Sequence, residues 1–398
     1  MRKGVILVIL LFLTACTTVG TAEPNPYLGT PDASQTSQIA DFLAGVFPTA
    51  EPSATATPDL TLTPSPTITL RPATYYIFEP GISPLTGLPA QDPENLNRRP
   101  VMVKVSNWPR EGRPHAGLSS ADLVFEYYIG YQMNRFLAVY YGGNASAVGP
   151  IRSGRLVDAQ LTALYQGILA YGNADPQVDE VLIEQLGDRA LAFKNLPCPP
   201  MCGTVTYAAT GVFADSAALT TFADGIGVDN TPPDLRGMYF QPAAPAGDSD
   251  GTTLRVEYAN FSIMEWRYDP EAARYTLWQE AESAGGLILL PTLDRNNGQP
   301  LAFDNLVVMV AEYIEYAPSL HDIRIREVRS FQPATLFRDG AAIQGTWRVP
   351  EPDRPIIFET EAGESLPFKP GQTWIVIVGP GSDWAQPTPG EWTVYFGQ

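Results

Sequence analysis

From Thr17 to about residue 75 the chain is dominated by Pro, Thr, Ser and Ala, most densely over Thr49–Pro58 and Leu62–Thr67. Such a segment buries too little apolar area to offset the entropy of ordering it. Whatever this chain folds into must therefore be built by the residues that follow. The prolines favour extended, semi-stiff conformations, so residues 16–75 read as a tether. One exception sits inside it. Ile39, Phe42, Leu43, Val46 and Phe47 recur at helical spacing, which suits either a short amphipathic helix or a transient turn.

Ahead of the tether stands Met1-Arg2-Lys3, an apolar run to Leu13, and then Leu13-Thr14-Ala15-Cys16. The run is too short to span a bilayer, which takes roughly twenty apolar residues. A basic start, a short apolar core and small residues make a secretory signal over residues 1–15. A cysteine directly after Leu-Thr-Ala makes it a lipoprotein signal, with Cys16 as the acylated first residue. Burial of acyl chains contributes about 0.8 kcal/mol per methylene. The expected location is the outer face of the cell membrane, lipid-anchored and extracytoplasmic.

The formal charge is −18. That balance argues against nucleic acid, whose phosphates demand Lys and Arg, and against lying flat on an anionic lipid surface. Two cysteines remain, in Leu196-Pro197-Cys198-Pro199-Pro200-Met201-Cys202-Gly203. Export puts them in an oxidising setting, where a small-loop disulfide between Cys198 and Cys202 is expected. A zinc site would need further ligands, and the chain has only two histidines, His115 and His321, so no metal is expected. No Gly-rich phosphate loop, metalloprotease motif or dinucleotide fingerprint is present, and no cofactor is expected.

The globular pattern begins near Gly81. Val101–Val105, Leu123–Ile129, Phe136–Tyr141 and Gly167–Tyr171 read as strands, and Arg155–Tyr165, Asp179–Leu186 and Asp215–Phe222 as helices. Asn230–Asp250 is rich in Pro, Gly and Asp and marks a boundary or a long loop. Beyond it the pattern is almost all strand: Thr253–Tyr258, Ile263–Tyr268, Tyr275–Gln279, Leu306–Tyr316, Ile323–Val328, Thr335–Arg338, Ala342–Arg348, Ile356–Glu359 and Trp374–Val378. Asp339-Gly340 signals a two-residue hairpin. The expected fold class is α+β, with a mixed α/β domain over residues 76–235 and a smaller, mainly β domain over residues 251–398.

Several blocks carry a resemblance. They run from Ser83-Pro84-Leu85-Thr86-Gly87-Leu88-Pro89 through Arg99–Val103, Arg113-Pro114-His115-Ala116-Gly117-Leu118, Ala121–Glu126 and Arg135–Val139 to Val148-Gly149-Pro150-Ile151-Arg152-Ser153-Gly154-Arg155. Together they resemble the amino-terminal domain of the YerB-like bacterial lipoproteins, a family built on a domain of unknown function. Asp304–Val308, Phe337–Gly340 with Gly345-Thr346-Trp347, and Phe368–Trp374 are similar to its carboxy-terminal domain. The resemblance implies fold and address, not a reaction. After the first helix, where the family pattern carries a histidine, this chain has Tyr171-Gly172-Asn173-Ala174-Asp175-Pro176.

Basic residues are few, so their concentration in Arg110, Arg113, Arg135, Arg152 and Arg155 is informative. Arg152 and Arg155 flank Ser153-Gly154 just ahead of a helix. Backbone N–H groups at a helix start with guanidinium forks nearby suit a carboxylate or phosphate. The candidate anion-binding groove is Arg113, Arg135, Arg152, Ser153 and Arg155, with His115, Asp122 and Glu126 as polar partners. The competing reading pairs Arg152 and Arg155 with Asp122 and Glu126 as a strand-to-helix lock. As an acid–base pair, Asp122 and Glu126 stand roughly 13 Å apart along a strand, too far for glycan hydrolysis. His115 beside Ser119 or Ser120 is the remaining hydrolytic arrangement. Trp266, Trp278, Trp347, Trp374, Trp384 and Trp392 serve either as a platform for sugars or proteins or as core. No catalytic residue is assigned. The expected role is binding or interaction in the bacterial envelope, with an envelope protein or cell-wall ligand as partner. The alternative is a cell-wall hydrolase or transferase.

Overall fold

The computed structural model describes residues 72–204 and 210–398. The signal, Cys16, the helical spacing at 39–47 and nearly all of the tether lie outside the described residues.

The first half builds β1 (Val101–Ser106), β2 (Leu123–Tyr128), β3 (Asn134–Tyr140), α1 (Leu156–Leu164), β4 (Ile168–Tyr171), α2 (Pro176–Leu186), β5 (Ala190–Ala192) and α3 (Ser216–Gly225). The second half is strand, with no helix beyond Gly225 among the described residues. Its main strands are β6 (Ser249–Ala259), β7 (Ser262–Asp269), β8 (Arg274–Ser283), β9 (Gly286–Pro291), β10 (Asn305–Val310), β11 (Gln332–Arg338), β12 (Ala341–Arg348), β13 (Ile357–Glu359), β14 (Thr373–Val378) and β15 (Gly390–Tyr395). The fold is α+β, a mixed half followed by a mainly β half.

One sheet takes strands from both halves. Its order is β5-β4-β1-β3-β2-β14-β10-β11-β12-β13. The join is β2 beside β14, parallel, from Leu123 opposite Thr373 to Tyr127 opposite Ile377. The continuous apolar runs Val101-Met102-Val103 and Trp374-Ile375-Val376-Ile377-Val378 fit this place, because a central strand is buried on both faces. A second, mostly antiparallel sheet, β15-β6-β7-β8-β9, covers one face of the first. Trp374 sits between them, its ring centroid 4.9 Å from Phe136, 4.9 Å from Trp266 and 5.2 Å from Phe303. These near-perpendicular contacts lock the sheets together. Helices α1 and α2 pack on the opposite face, where Val157, Leu161, Leu164, Val178 and Leu182 meet Met102, Phe125 and Leu137.

Local signals explain the element ends. Asp175 accepts from Gln177 N and Pro176 occupies the first position of α2, so that helix starts three residues before its apolar spacing does. Asp339 and Gly340 both hold positive φ, at 51° and 77°, and close the two-residue hairpin between β11 and β12. Two expected strands differ. Leu306–Tyr316 is broken, since β10 ends at Val310 and a separate hairpin begins at Tyr313. Ile323–Val328 turns instead of extending, because Gln160 Oε1 of α1 accepts from both Ile325 N and Arg326 N at 3.1 Å. A side chain satisfies backbone that a strand neighbour otherwise would. Gly286–Pro291 and Gly390–Tyr395 are strands that the sequence reading passes over. Cys198 and Cys202 form a disulfide.

Candidate functional site

The loop Pro150–Arg155 crosses the carboxyl ends of two parallel strands, β1 and β4. Arg152 N donates to Lys104 O at 3.1 Å, Gly154 N to Asn173 O at 2.8 Å, and Gly172 N to Arg152 O at 2.9 Å. In open α/β sheets this is where ligands collect. The loop then runs into α1, whose first free N–H groups face the same end. Gly154 makes the close approach possible, since a Cβ there would stand 2.6 Å from Leu182 Cδ1 and 3.3 Å from Tyr171 Cδ2.

Arg135 enters from the second residue of β3, opposite Ser106 of β1 and Tyr127 of β2. It is only 5% exposed. Its Nη1 donates to Ser153 O at 3.1 Å. Arg155 Nη1 donates to Ser153 O at 3.5 Å and to Gly154 O at 2.9 Å. The Nε of each is buried without a partner. Burial, with Arg155 and Arg152 as like-charged neighbours, holds the Arg135 pKa well below its usual value. A guanidinium does not give up its proton in response, so Arg135 remains a poorly compensated charge. Ser153 Oγ donates to Asn173 Oδ1 at 2.7 Å on the open side.

Beneath these cations lies a closed trio. Lys104, fully buried, donates to Asp158 Oδ1 of α1 at 3.2 Å and to the Tyr127 hydroxyl, which donates to the same carboxylate. The other carboxylate oxygen accepts from Arg155 N at 2.7 Å and so caps α1. Burial lowers the Lys104 pKa to about 7; Asp158 opposes the shift, and Arg135 and Arg155 add to it. Among the described residues, Lys104, Arg135 and Arg155 thus stand around one close carboxylate, that of Asp158, with Asp175 acting on Arg155 from farther off. The arrangement carries an excess of positive charge at a helix N-terminus.

The structure brings together Arg135, Arg152, Ser153 and Arg155 and separates the other expected site residues from them. Arg113 lies on the opposite face of the sheet. There its Nε donates to Asn107 Oδ1 at 3.1 Å and its Nη1 meets Glu280 Oε1 at 3.0 Å. His115 is fully buried, with Nε2 donating to Ser106 O at 2.9 Å, and burial drives its pKa down to about 3. Ser119 Oγ donates to Asp294 Oδ2 at 2.7 Å, so its hydroxyl is turned to a carboxylate. Asp122 accepts from Tyr141 N at 2.8 Å, Gly142 N at 3.2 Å and Ser83 Oγ at 3.4 Å. Glu126, also fully buried, accepts from Asn134 Nδ2 and Trp374 Nε1, each at 2.6 Å. Burial raises its pKa to about 7. Neither carboxylate is the lock for Arg152 and Arg155 that the strand-to-helix reading supposes. Trp266, Trp347 and Trp374 are core, whereas Trp384 is 36% exposed beside Trp392.

Lys104, Tyr127, Asp158 and Asn173 belong to the site and escape the sequence reading. One signal was available: Lys104 interrupts the apolar strand Val101-Met102-Val103-Lys104-Val105, and a lysine on a two-sided buried strand must have a partner. Asp158 offered less, since an acidic residue in a first helical turn is ordinary.

Two family models match the chain. Residues 85–196 match the N-terminal domain, and residues 254–375 the C-terminal domain, of a protein of unknown function, DUF3048. The Bacillus subtilis (strain 168) protein named "Putative lipoprotein YerB" is 29% identical over 322 residues, covering 78% of this chain and 89% of the relative. The crystal structure of the YerB protein from Bacillus subtilis aligns with a TM-score of 0.60 at 27% identity, covering 74% of this chain and 96% of that one. Both halves of the shared sheet fall within these matches, and the chain belongs to the DUF3048 family of proteins of unknown function.

Proposed function

We propose that this protein is a lipid-anchored, extracytoplasmic binding protein of the bacterial envelope, and that it holds an anionic ligand at Arg135, Ser153 and Arg155 over the start of α1. The lipoprotein signal ending at Cys16 and the name of the Bacillus subtilis relative support the address. One observation carries the binding role: two guanidiniums converge on a single loop, and their hydrogen bonds there go to carbonyl oxygens rather than carboxylates. A buried cation without its counter-charge is costly, and an incoming anion relieves that cost.

The test is anion-dependent stabilisation of the full-length chain in detergent. A ligand that binds only the folded state raises the melting temperature with concentration. Sulfate should do so in the native protein and not in Arg135→Gln or Arg155→Gln. Equal response in all three proteins defeats the binding role. Labelling with a clickable palmitate analogue checks the anchor, and Cys16→Ser should abolish the label.

A further inference from the structure

Arg135 and Arg155 each spend Nη1 on the loop carbonyls. The other edge of a guanidinium, Nε with Nη2, is the one that grips two oxygens side-on. Both Nε atoms are buried and unpartnered. A carboxylate has two oxygens in one plane and a single charge, which one fork satisfies. Two forks at one loop, backed by the Lys104 ammonium and a helix N-terminus, complement a group with three terminal oxygens and up to two negative charges.

A groove of about 450 Å³ runs between α1, α2 and the hairpin that follows β10. Its walls are Leu156 and Gln160 of α1, Gln177 and Val181 of α2, and Tyr316 and Leu320 of the hairpin that follows β10. Leu156 is the residue after Arg155. Gln177 is the second residue of α2, four residues past Asn173, which accepts from Ser153 Oγ. Leu156 and Gln177, in the first turns of the two helices, therefore put one end of the groove next in the chain to Arg155 and close in the chain to Asn173. Its volume falls in the range of small-ligand sites, and its lining mixes aliphatic side chains and the Tyr316 ring with amides and the Asp322 carboxylate, which accepts from Gln160 Nε2 at 2.8 Å.

We propose that the ligand is a phosphoryl group carried on an organic ester, with its oxygens on Arg135 and Arg155 and its organic part in the groove between α1 and α2. This rests on the anion-binding role above. The experiment is calorimetric titration of the full-length chain in detergent with phenyl phosphate, inorganic phosphate, benzoate and dihexanoyl phosphatidate. Phenyl phosphate should bind at least tenfold tighter than benzoate and tighter than inorganic phosphate. Arg155→Lys keeps the charge and removes the fork, so it should lose most of the preference for phosphoryl over carboxylate; its melting curve checks that it is folded. Binding of dihexanoyl phosphatidate without phenyl phosphate supports the proposal with a lipid headgroup as the source, whereas phenyl phosphate binding supports a soluble ester. Benzoate binding as tightly as phenyl phosphate overturns the phosphoryl assignment and leaves the anion role intact. Inorganic phosphate equalling phenyl phosphate overturns the groove. Failure of every anion removes the anion role itself, and this proposal with it.

Discussion

Arg135 and Arg155 donate to one and the same carbonyl oxygen, that of Ser153, from 3.1 Å and 3.5 Å. Two like charges are brought to one point by strand β3 and by the loop ahead of α1. Among the described residues, the carboxylates that offset their repulsion are Asp158, which Lys104 and Tyr127 already engage, and Asp175, which acts on Arg155 alone.

That imbalance sets an expectation for stability. Breaking a compensated buried pair costs roughly 3–5 kcal/mol. Arg348 and Glu359 form such a pair, with Nε to Oε2 at 2.7 Å and Nη2 to Oε1 at 3.0 Å. Glu359→Ala should lose about that much in urea unfolding. Arg155→Ala in anion-free buffer should change stability by less than about 1 kcal/mol, because it removes repulsion along with two hydrogen bonds. A large loss in Arg155→Ala would mean the guanidinium is a structural strut.

Lys104 makes anion affinity depend on pH. Its pKa is lowered to about 7, so the site loses a positive charge as pH rises through that value. The groups facing it are Tyr127, Asp158, Arg135 and Arg155. Sulfate keeps a constant charge over this range and is the clean probe. Its affinity should fall roughly tenfold between pH 6 and pH 8, and Lys104→Met should flatten the profile. A slope that survives in that variant would exclude Lys104 as its source.

Glu126 gives stability a pH dependence of its own. Burial raises its folded pKa to about 7, above the ordinary value of 4.5. The folded state therefore binds more protons than the unfolded chain between those values, and stability falls as pH rises from 4.5 through 7. The stabilisation is fully present below 4.5. The whole effect is roughly 3 kcal/mol. His115 and Lys104, with lowered pKa values, act in the opposite sense but equally in both proteins, so the change in stability from pH 5 to pH 8 in urea titrations should differ between native protein and Glu126→Gln by roughly 3 kcal/mol, and an equal change in both would place the titrating group elsewhere.

Gly154 should prove intolerant. An alanine there meets the buried Leu182 side chain and the Tyr171 ring. Overpacking of this kind costs about 1–3 kcal/mol. Because the loop also aims Ser153 and Arg155, Gly154→Ala should weaken sulfate binding more than it lowers stability. Unaltered affinity in a destabilised variant would separate the loop from the site.

The pattern of elements was open to sequence reasoning where it is written locally. The apolar run Val101–Val105, the helical spacing from Arg155 and the Asp339-Gly340 turn all stand where periodicity and turn chemistry put them. What escaped is long-range. Nothing in Leu123–Tyr128 or Trp374–Val378 names the other as a neighbour, yet their pairing makes the sheet. The loop arginines stood out by scarcity of charge, but a linear reading could not tell that Arg113 and Arg135 face opposite sides. Gln160, an unremarkable helical residue, turned an expected strand into a turn through its carbonyl oxygen.

The parallel neighbours β2 and β14 lie about 250 residues apart in the chain. A strand early in the sequence thus waits for one of the last before its second edge is closed. Until β14 is present, the first half carries an open sheet margin, exposed to misassociation. Contacts so distant in sequence also make for slow folding. A protein assembled this way has good use for helpers that shield this margin until β14 has emerged.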